Sequence, residues 1–429
     1  MAHVGIFRTR TVPFQPDMVS ESAFGPSALD RDVRPAMAWP MRLRPLPLLL
    51  LSAIACAQTP PSAPAATILE VRTITPKEEP YSGWPTVVRR ANGDLWSVWS
   101  GGRDAHICPM GQVRAMTSRD GGVTWTYPRV LLDTATDDRD AGVLETAKGT
   151  LLVTTFTSLA YESYLKRAQS MGELKSGGSK AKPMPADQLA RLTAAHDRLD
   201  DAARKAELGE WVIRSTDGGL TWSPRIPTVV NSPHGPIRLK DGRLLYPGKE
   251  LWTSSKRIGV AESLDDGLTW KWLAEIPTRP GDEVPTGYHE LHGVETDDGR
   301  IIVQVRNHNK ANARETLQCE SLDGGRTWSV PTSIGVWGLP SHLLKLRDGR
   351  LLMTYGHRRA PWGNQARVSA DHGRTWSAPV ILSGPEGAAR ELGYPSTVQL
   401  QDGSLLSVWY EKIPDASVPV LRQARWKLD

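Results

Sequence analysis

Six times along the chain an apolar run breaks at a short polar turn ending in Gly and resumes as a second apolar run. The turns centre on Gly93 (VVRRANGDLWSVW), Gly149 (VLETAKGTLLVTTF), Gly242 (PIRLKDGRLLYPG), Gly299 (GVETDDGRIIVQV), Gly349 (LLKLRDGRLLMTY) and Gly403 (TVQLQDGSLLSVW). A strand-like run on each side of a Gly that reverses the chain predicts a β-hairpin. Successive glycines lie 50–57 residues apart, except that Gly149 to Gly242 takes 93. That long interval holds a stretch of different character, 160–208. Its segment DQLARLTAAHDRLDDAARKAEL spaces apolar residues as on a helix, with Asp187 expected as the cap and Gly209 as the stop. Without this insertion the long interval is about 44 residues, close to the others.

A second repeat follows five of the hairpins. The octapeptide S-x-D-x-G-x-T-W occurs at Ser118–Trp125, Ser215–Trp222, Ser263–Trp270, Ser321–Trp328 and Ser369–Trp376. Asp and Gly suit a tight turn, and Trp suits packing between neighbouring strands. Each unit therefore reads as a hairpin, a third strand, the octapeptide turn and a fourth strand. Six such units predict an all-β fold, a six-bladed β-propeller with a helical insertion in blade two. The sixth unit lacks the octapeptide, and VPVLRQARW near the C-terminus together with the early strand ILEVRTI is expected to complete it and close the ring.

Composition adjusts this picture little. The 38 Gly, 33 Pro and 16 Trp against 4 Phe suit a turn-dense globular chain and exclude a coiled coil, a collagen or a largely disordered protein. A net charge of +5 without a basic block argues against a nucleic-acid partner. Three Cys without CxxC spacing suggest neither a disulfide framework nor zinc, and no apolar run is long enough for a transmembrane helix. Residues 1–57 read as a leader. Arg42 and Arg44 precede the apolar Leu46–Ala57 segment, and Ala55-Cys56-Ala57 is a small-residue cleavage pattern before Gln58. The expected start is Met37 or Met41, and the expected destination is secretion, the periplasm or the cell envelope. Ser-Ala-Ile-Ala-Cys also allows a lipid anchor at Cys56. Residues 58–67 then form a linker and 68–429 the propeller.

The octapeptides resemble the Asp-boxes, or BNR repeats, of the sialidase superfamily, over essentially all of 68–429. Asp-boxes signal the fold, and their turns lie away from the catalytic face, so function rests on other residues. Aligning the six hairpins on their Gly puts Trp84, Asp140, Pro233, Glu290, Pro340 and Tyr394 at the position nine earlier. Arg139, His234, His292 and His342 are close neighbours, while Arg103, Arg306, Arg358 and Glu411 lie at or just beyond second-strand ends. All of these are expected on one face. The histidines come from different blades without paired spacing, which argues against a metal, and no cofactor is expected.

The resemblance implies a retaining glycosidase in which a Tyr, activated by a Glu, attacks the anomeric carbon. A neutral phenol avoids repulsion from an acidic sugar, and its high ordinary pKa requires a base beside it. Carried over, Tyr394 looks like the nucleophile and Glu290 like its activating base, with Asp104 or Asp140 as acid/base. Arg306 and Arg103 look like binders of the substrate carboxylate, joined by Arg139, Arg358, Trp84, the three histidines and Glu411 around the substrate. The chain departs from the family where Gly83-Trp84-Pro85 replaces an Arg-Ile-Pro motif, and a third arginine has no match in blade five. The insertion follows the second strand of blade two and is expected to project over the catalytic face. The expected partner is a glycan or glycoconjugate cleaved at a terminal sugar, with an acidic sugar as one option. Two alternatives stay open: a non-catalytic glycan-binding propeller, and a glycosidase or lyase for another acidic sugar working through the His-rich centre.

Overall fold

The computed structural model describes residues 61–173, 184–311, 315–384 and 391–429. The leader and Cys56 lie outside the described residues. Six four-stranded antiparallel sheets follow one another along the chain. Blade one is Tyr81–Arg89, Leu95–Arg103, Gln112–Ser118 and Arg129–Leu132. Blade four, for comparison, is Tyr288–Glu295, Ile301–Asn307, Leu317–Ser321 and Thr332–Ser333. Blade six joins Leu392–Gln399, Leu405–Glu411 and Val420–Leu428 to the early strand Ala66–Thr73, so the two ends of the propeller close it. First strands of neighbouring blades meet around the axis.

All six hairpin glycines have left-handed φ, between +80° and +94°, a conformation that a side chain disfavours. The octapeptides build one hydrogen-bond pattern five times. In the last, Ser369 Oγ donates to Asp371 Oδ1 (2.7 Å), Gly373 N donates to Ser369 Oγ (2.7 Å), and Thr375 donates through N (2.9 Å) and Oγ1 (2.6 Å) to the same carboxylate. Two of the Trp side chains that end these turns bond across to the neighbouring blade. Trp125 Nε1 of blade one donates to Gln423 of blade six at 2.8 Å, and Trp376 of blade five to Gln318 of blade four at 3.1 Å. The five turns together account for five of the 16 Trp.

The insertion forms helices α1 (Tyr161–Glu173), α2 (Ala186–His196) and α3 (Asp201–Ala206). Asp187 does not cap α2. It sits in the first turn and pairs with Arg191 one turn on (2.9 Å), a solvent-exposed use. The apolar run breaks before α3, where Asp200 Oδ1 accepts from Ala203 N at 2.8 Å and supplies the cap. Leu165 and Leu192 pack with Cys108 of blade one, so the helices lean on the loop that follows that blade's second strand.

Candidate active site

Four first strands carry an irregularity at the aligned position. Register shifts fall between Gly83 and Thr86, Arg139 and Gly142, Tyr288 and Leu291, and Gly393 and Ser396. Three of the residues there adopt left-handed φ without being glycine: Trp84 (56°), Asp140 (48°) and Tyr394 (52°). A bulge of this kind re-aims one side chain, and the strain of such a backbone concentrates at functional sites.

Tyr394, Glu290 and Arg306 form a closed triangle. Tyr394 OH donates to Glu290 Oε1 at 2.8 Å. Arg306 Nη1 lies 2.8 Å from both Glu290 oxygens and 3.0 Å from the Tyr394 hydroxyl. Burial would raise the Glu290 carboxyl, yet the Arg306 charge, then His289 and the two hydrogen bonds, hold it at about 2. Burial and then the Glu290 charge push the Tyr394 phenol well above its ordinary value, against Arg306. The resting site therefore pairs a neutral phenol with an ionised carboxylate.

Asp140 behaves differently. Its carboxyl is pushed up to about 6, first by burial and then by the Glu290 charge, while Arg139 opposes both. Its Oδ1 is buried and has no hydrogen-bond partner among the described residues. A carboxyl that gains or loses a proton near neutrality suits acid/base work. Arg139 lies beside it and reaches Asp137 Oδ2 (3.4 Å) and the His106 carbonyl (3.3 Å), with its guanidinium 4.6 Å from the Trp84 ring centre. Arg358 enters from blade five, 5.4 Å above the Tyr394 ring, and donates to the Leu392 carbonyl (3.1 Å) and Tyr410 OH (3.4 Å).

Other expected residues take other places. Arg103 is fully buried and grips both oxygens of Asp137 at 2.7 and 3.0 Å, with further donors on Ser100 and the Ala105 and His106 carbonyls. Its donors meet protein groups, so it braces blades one and two instead of facing a substrate. Asp104 is turned to the insertion, where Arg191 holds it at 3.0 and 3.2 Å. Glu411 is buried in blade six, accepts from Trp409 Nε1 at 2.9 Å and pairs with Arg422 at 3.3 Å. Its strand position places it in the packing between strands, away from the triangle.

His234, His292 and His342 do converge, on the propeller axis. Their ring centres are 4.5 to 5.4 Å apart, and His234 lies 6.4 Å from the Tyr394 ring. Burial holds all three well below the ordinary histidine value, so the rings are neutral. His292 Nδ1 accepts from Leu343 N at 2.9 Å, which leaves the proton on Nε2 as a donor and not as a metal ligand. Among the described residues no group of three or more His, Cys, Asp or Glu has a metal-holding arrangement.

Two contributors had no place in the aligned set. Tyr410 packs 5.9 Å from Tyr394, and Tyr81 OH donates to Glu391 at 2.7 Å beside His106 Nδ1 at 3.1 Å. Tyr410 precedes Glu411, the residue that strand position had selected. The bulge between Gly393 and Ser396 adds a residue to the first strand, so Gly393 lies opposite Tyr410 while Ser396 lies opposite Val408.

Residues 195–407 match the BNR repeat-like domain family. The chain is 27% identical over 202 residues to a sialidase of Micromonospora viridifaciens, covering 39% of this chain and 31% of that protein. It is 26% identical over 202 residues to a sialidase of Clostridium perfringens, covering 40% and 53% respectively. It thus spans about a third to a half of the length of the curated relatives it matches. Among solved structures, a protein of unknown function from Dyadobacter fermentans aligns with a TM-score of 0.66 at 22% identity, over 85% of this chain and 100% of that one. At that identity the likeness speaks for the fold.

Proposed function

We propose that this chain, which belongs to the BNR-repeat sialidase superfamily, is a retaining exo-glycosidase acting on a terminal acidic sugar of a glycan. The observation that carries this reading is the triangle of Tyr394, Glu290 and Arg306, closed at 2.8 to 3.0 Å. Tyr394 oxygen attacks the anomeric carbon and its proton passes to Glu290. The bond to the leaving oxygen breaks, and Asp140 gives that oxygen its proton. Water then attacks the same carbon as Asp140 takes back a proton, and the freed Tyr394 oxygen recovers its own from Glu290.

Charge supports the acidic sugar. Arg103 is matched by Asp137 and Arg306 by Glu290. Arg139, bridged to Asp137 only at 3.4 Å, and Arg358 stand beside Tyr394, with Asp140 and Glu391 as the nearby carboxyls. Two guanidiniums around a largely buried phenol favour a carboxylate ligand. They reach the site from blades two and five, in place of the unmatched arginines. We further propose that the chain works outside the cytoplasm, as its leader suggests.

The test is a panel of aryl glycosides that includes a sialoside, a uronide and neutral sugars. Turnover of an acidic member, abolished in Tyr394→Phe, is expected. Turnover that survives this substitution would refute the nucleophile, and no turnover of any glycoside would favour a glycan-binding propeller.

A further inference from the structure

Trp84 is the third left-handed residue at the aligned position, and the only one of the three without chemistry of its own. A bulky aromatic at φ 56° is costly, and the same backbone in blades two and six aims Asp140 and Tyr394 at the reaction centre. The ring is 1% exposed. Its neighbours are the edges of His106 (4.9 Å), Tyr410 (6.1 Å) and Tyr394 (6.4 Å) and the guanidiniums of Arg139 (4.6 Å) and Arg103 (5.0 Å).

The two guanidiniums are held very differently. Arg103 takes both oxygens of Asp137 at short range. What remains for Arg139 is Asp137 Oδ2 at 3.4 Å and a carbonyl at 3.3 Å, both at the weak end of hydrogen bonding. Besides this one long ion pair with Asp137, the Arg139 guanidinium rests on the Trp84 face, 4.6 Å from the ring centre. A cation over an aromatic ring, away from water, gains from the ring's quadrupole.

We propose that Trp84 is a positioning residue that seats the Arg139 guanidinium at the pocket wall, where it meets the acidic group of the substrate. This rests on the functional reading given above and deepens it. An aliphatic residue fills part of the same volume but offers no face to a cation. A smaller aromatic ring retains part of that face.

The experiment compares wild type, Trp84→Leu and Trp84→Phe with two probes. One is the carboxylate-bearing aryl glycoside that wild type turns over, and the other is its analogue with the carboxyl reduced to an alcohol. Thermal melts check that each variant is folded, and Trp84→Met replaces Trp84→Leu if the latter is not. Trp84→Leu is expected to raise KM for the acidic probe about thirty-fold, with a far smaller fall in kcat and little change in binding of the reduced analogue. Trp84→Phe should recover most of the loss. On an Arg139→Ala background, Trp84→Leu should add nothing. Equal losses for both probes, or a further loss without Arg139, would overturn the proposal while leaving the functional reading intact. A wild type that neither cleaves nor binds any acidic sugar would overturn both.

Discussion

Replacing Arg306 with Met keeps a long side chain in place and removes the charge facing Glu290. Arg306 Nη1 lies 2.8 Å from both oxygens of a carboxylate that is 18% exposed, so little water is at hand to replace it. A carboxyl held at about 2, against an ordinary 4.5, contributes about 3 kcal/mol to the folded state. Because the folded value is depressed, that contribution is full above pH 4.5 and is lost as pH falls toward 2. At pH 3 about 1 kcal/mol of it remains. Stranding the carboxylate without a partner has a cost of the same order, roughly 3–5 kcal/mol. Urea unfolding at pH 7 should therefore find Arg306→Met less stable than wild type by about 3 kcal/mol. At pH 3 the gap should narrow by about 2 kcal/mol, since both proteins then gain little from an ionised Glu290. A gap of the same size at both pH values would show that Arg306 stabilises through packing, and would refute the charge pairing as the reason for the low Glu290 value.

Asp140 must be protonated to serve the leaving group, so kcat on a sugar-leaving substrate should decline as pH rises through about 6. Asp140→Asn should abolish this limb and cost about 10²–10⁴ in rate, less with an activated aryl leaving group. Glu290→Gln leaves Tyr394 without a base and should lower kcat by about 10²–10⁴ in steady-state assays, while a carboxylate inhibitor still binds. Asp371→Ala removes three hydrogen bonds of one Asp-box turn and should lower unfolding stability by about 2 kcal/mol without altering KM. Arg191→Ala releases Asp104 from the insertion. Arg191 is half exposed and Asp104 partly so, so overall stability should shift by less than about 1 kcal/mol, while limited proteolysis within 160–208 should quicken.

The blade count, the order of strands and the closure by Ala66–Thr73 were legible in the chain, because hairpin glycines and Asp-box turns are local chemistry that repeats. The candidate centre was legible in part for the same reason. Tyr394, Glu290, Asp140 and Trp84 share one register position, and register carries from blade to blade. The partnerships were not legible. Sequence alone could not show that Arg103 serves Asp137, that Asp104 serves Arg191, or that Arg139 and Arg358 gather beside Tyr394 from two blades. These pairings join segments far apart in the chain, and the strand bulges invert the in–out parity on which a sequence pattern depends. Local turn chemistry thus determined the propeller and where its working residues stand. Burial, bulges and contacts across the axis decided which charges pair within the protein and which gather beside Tyr394.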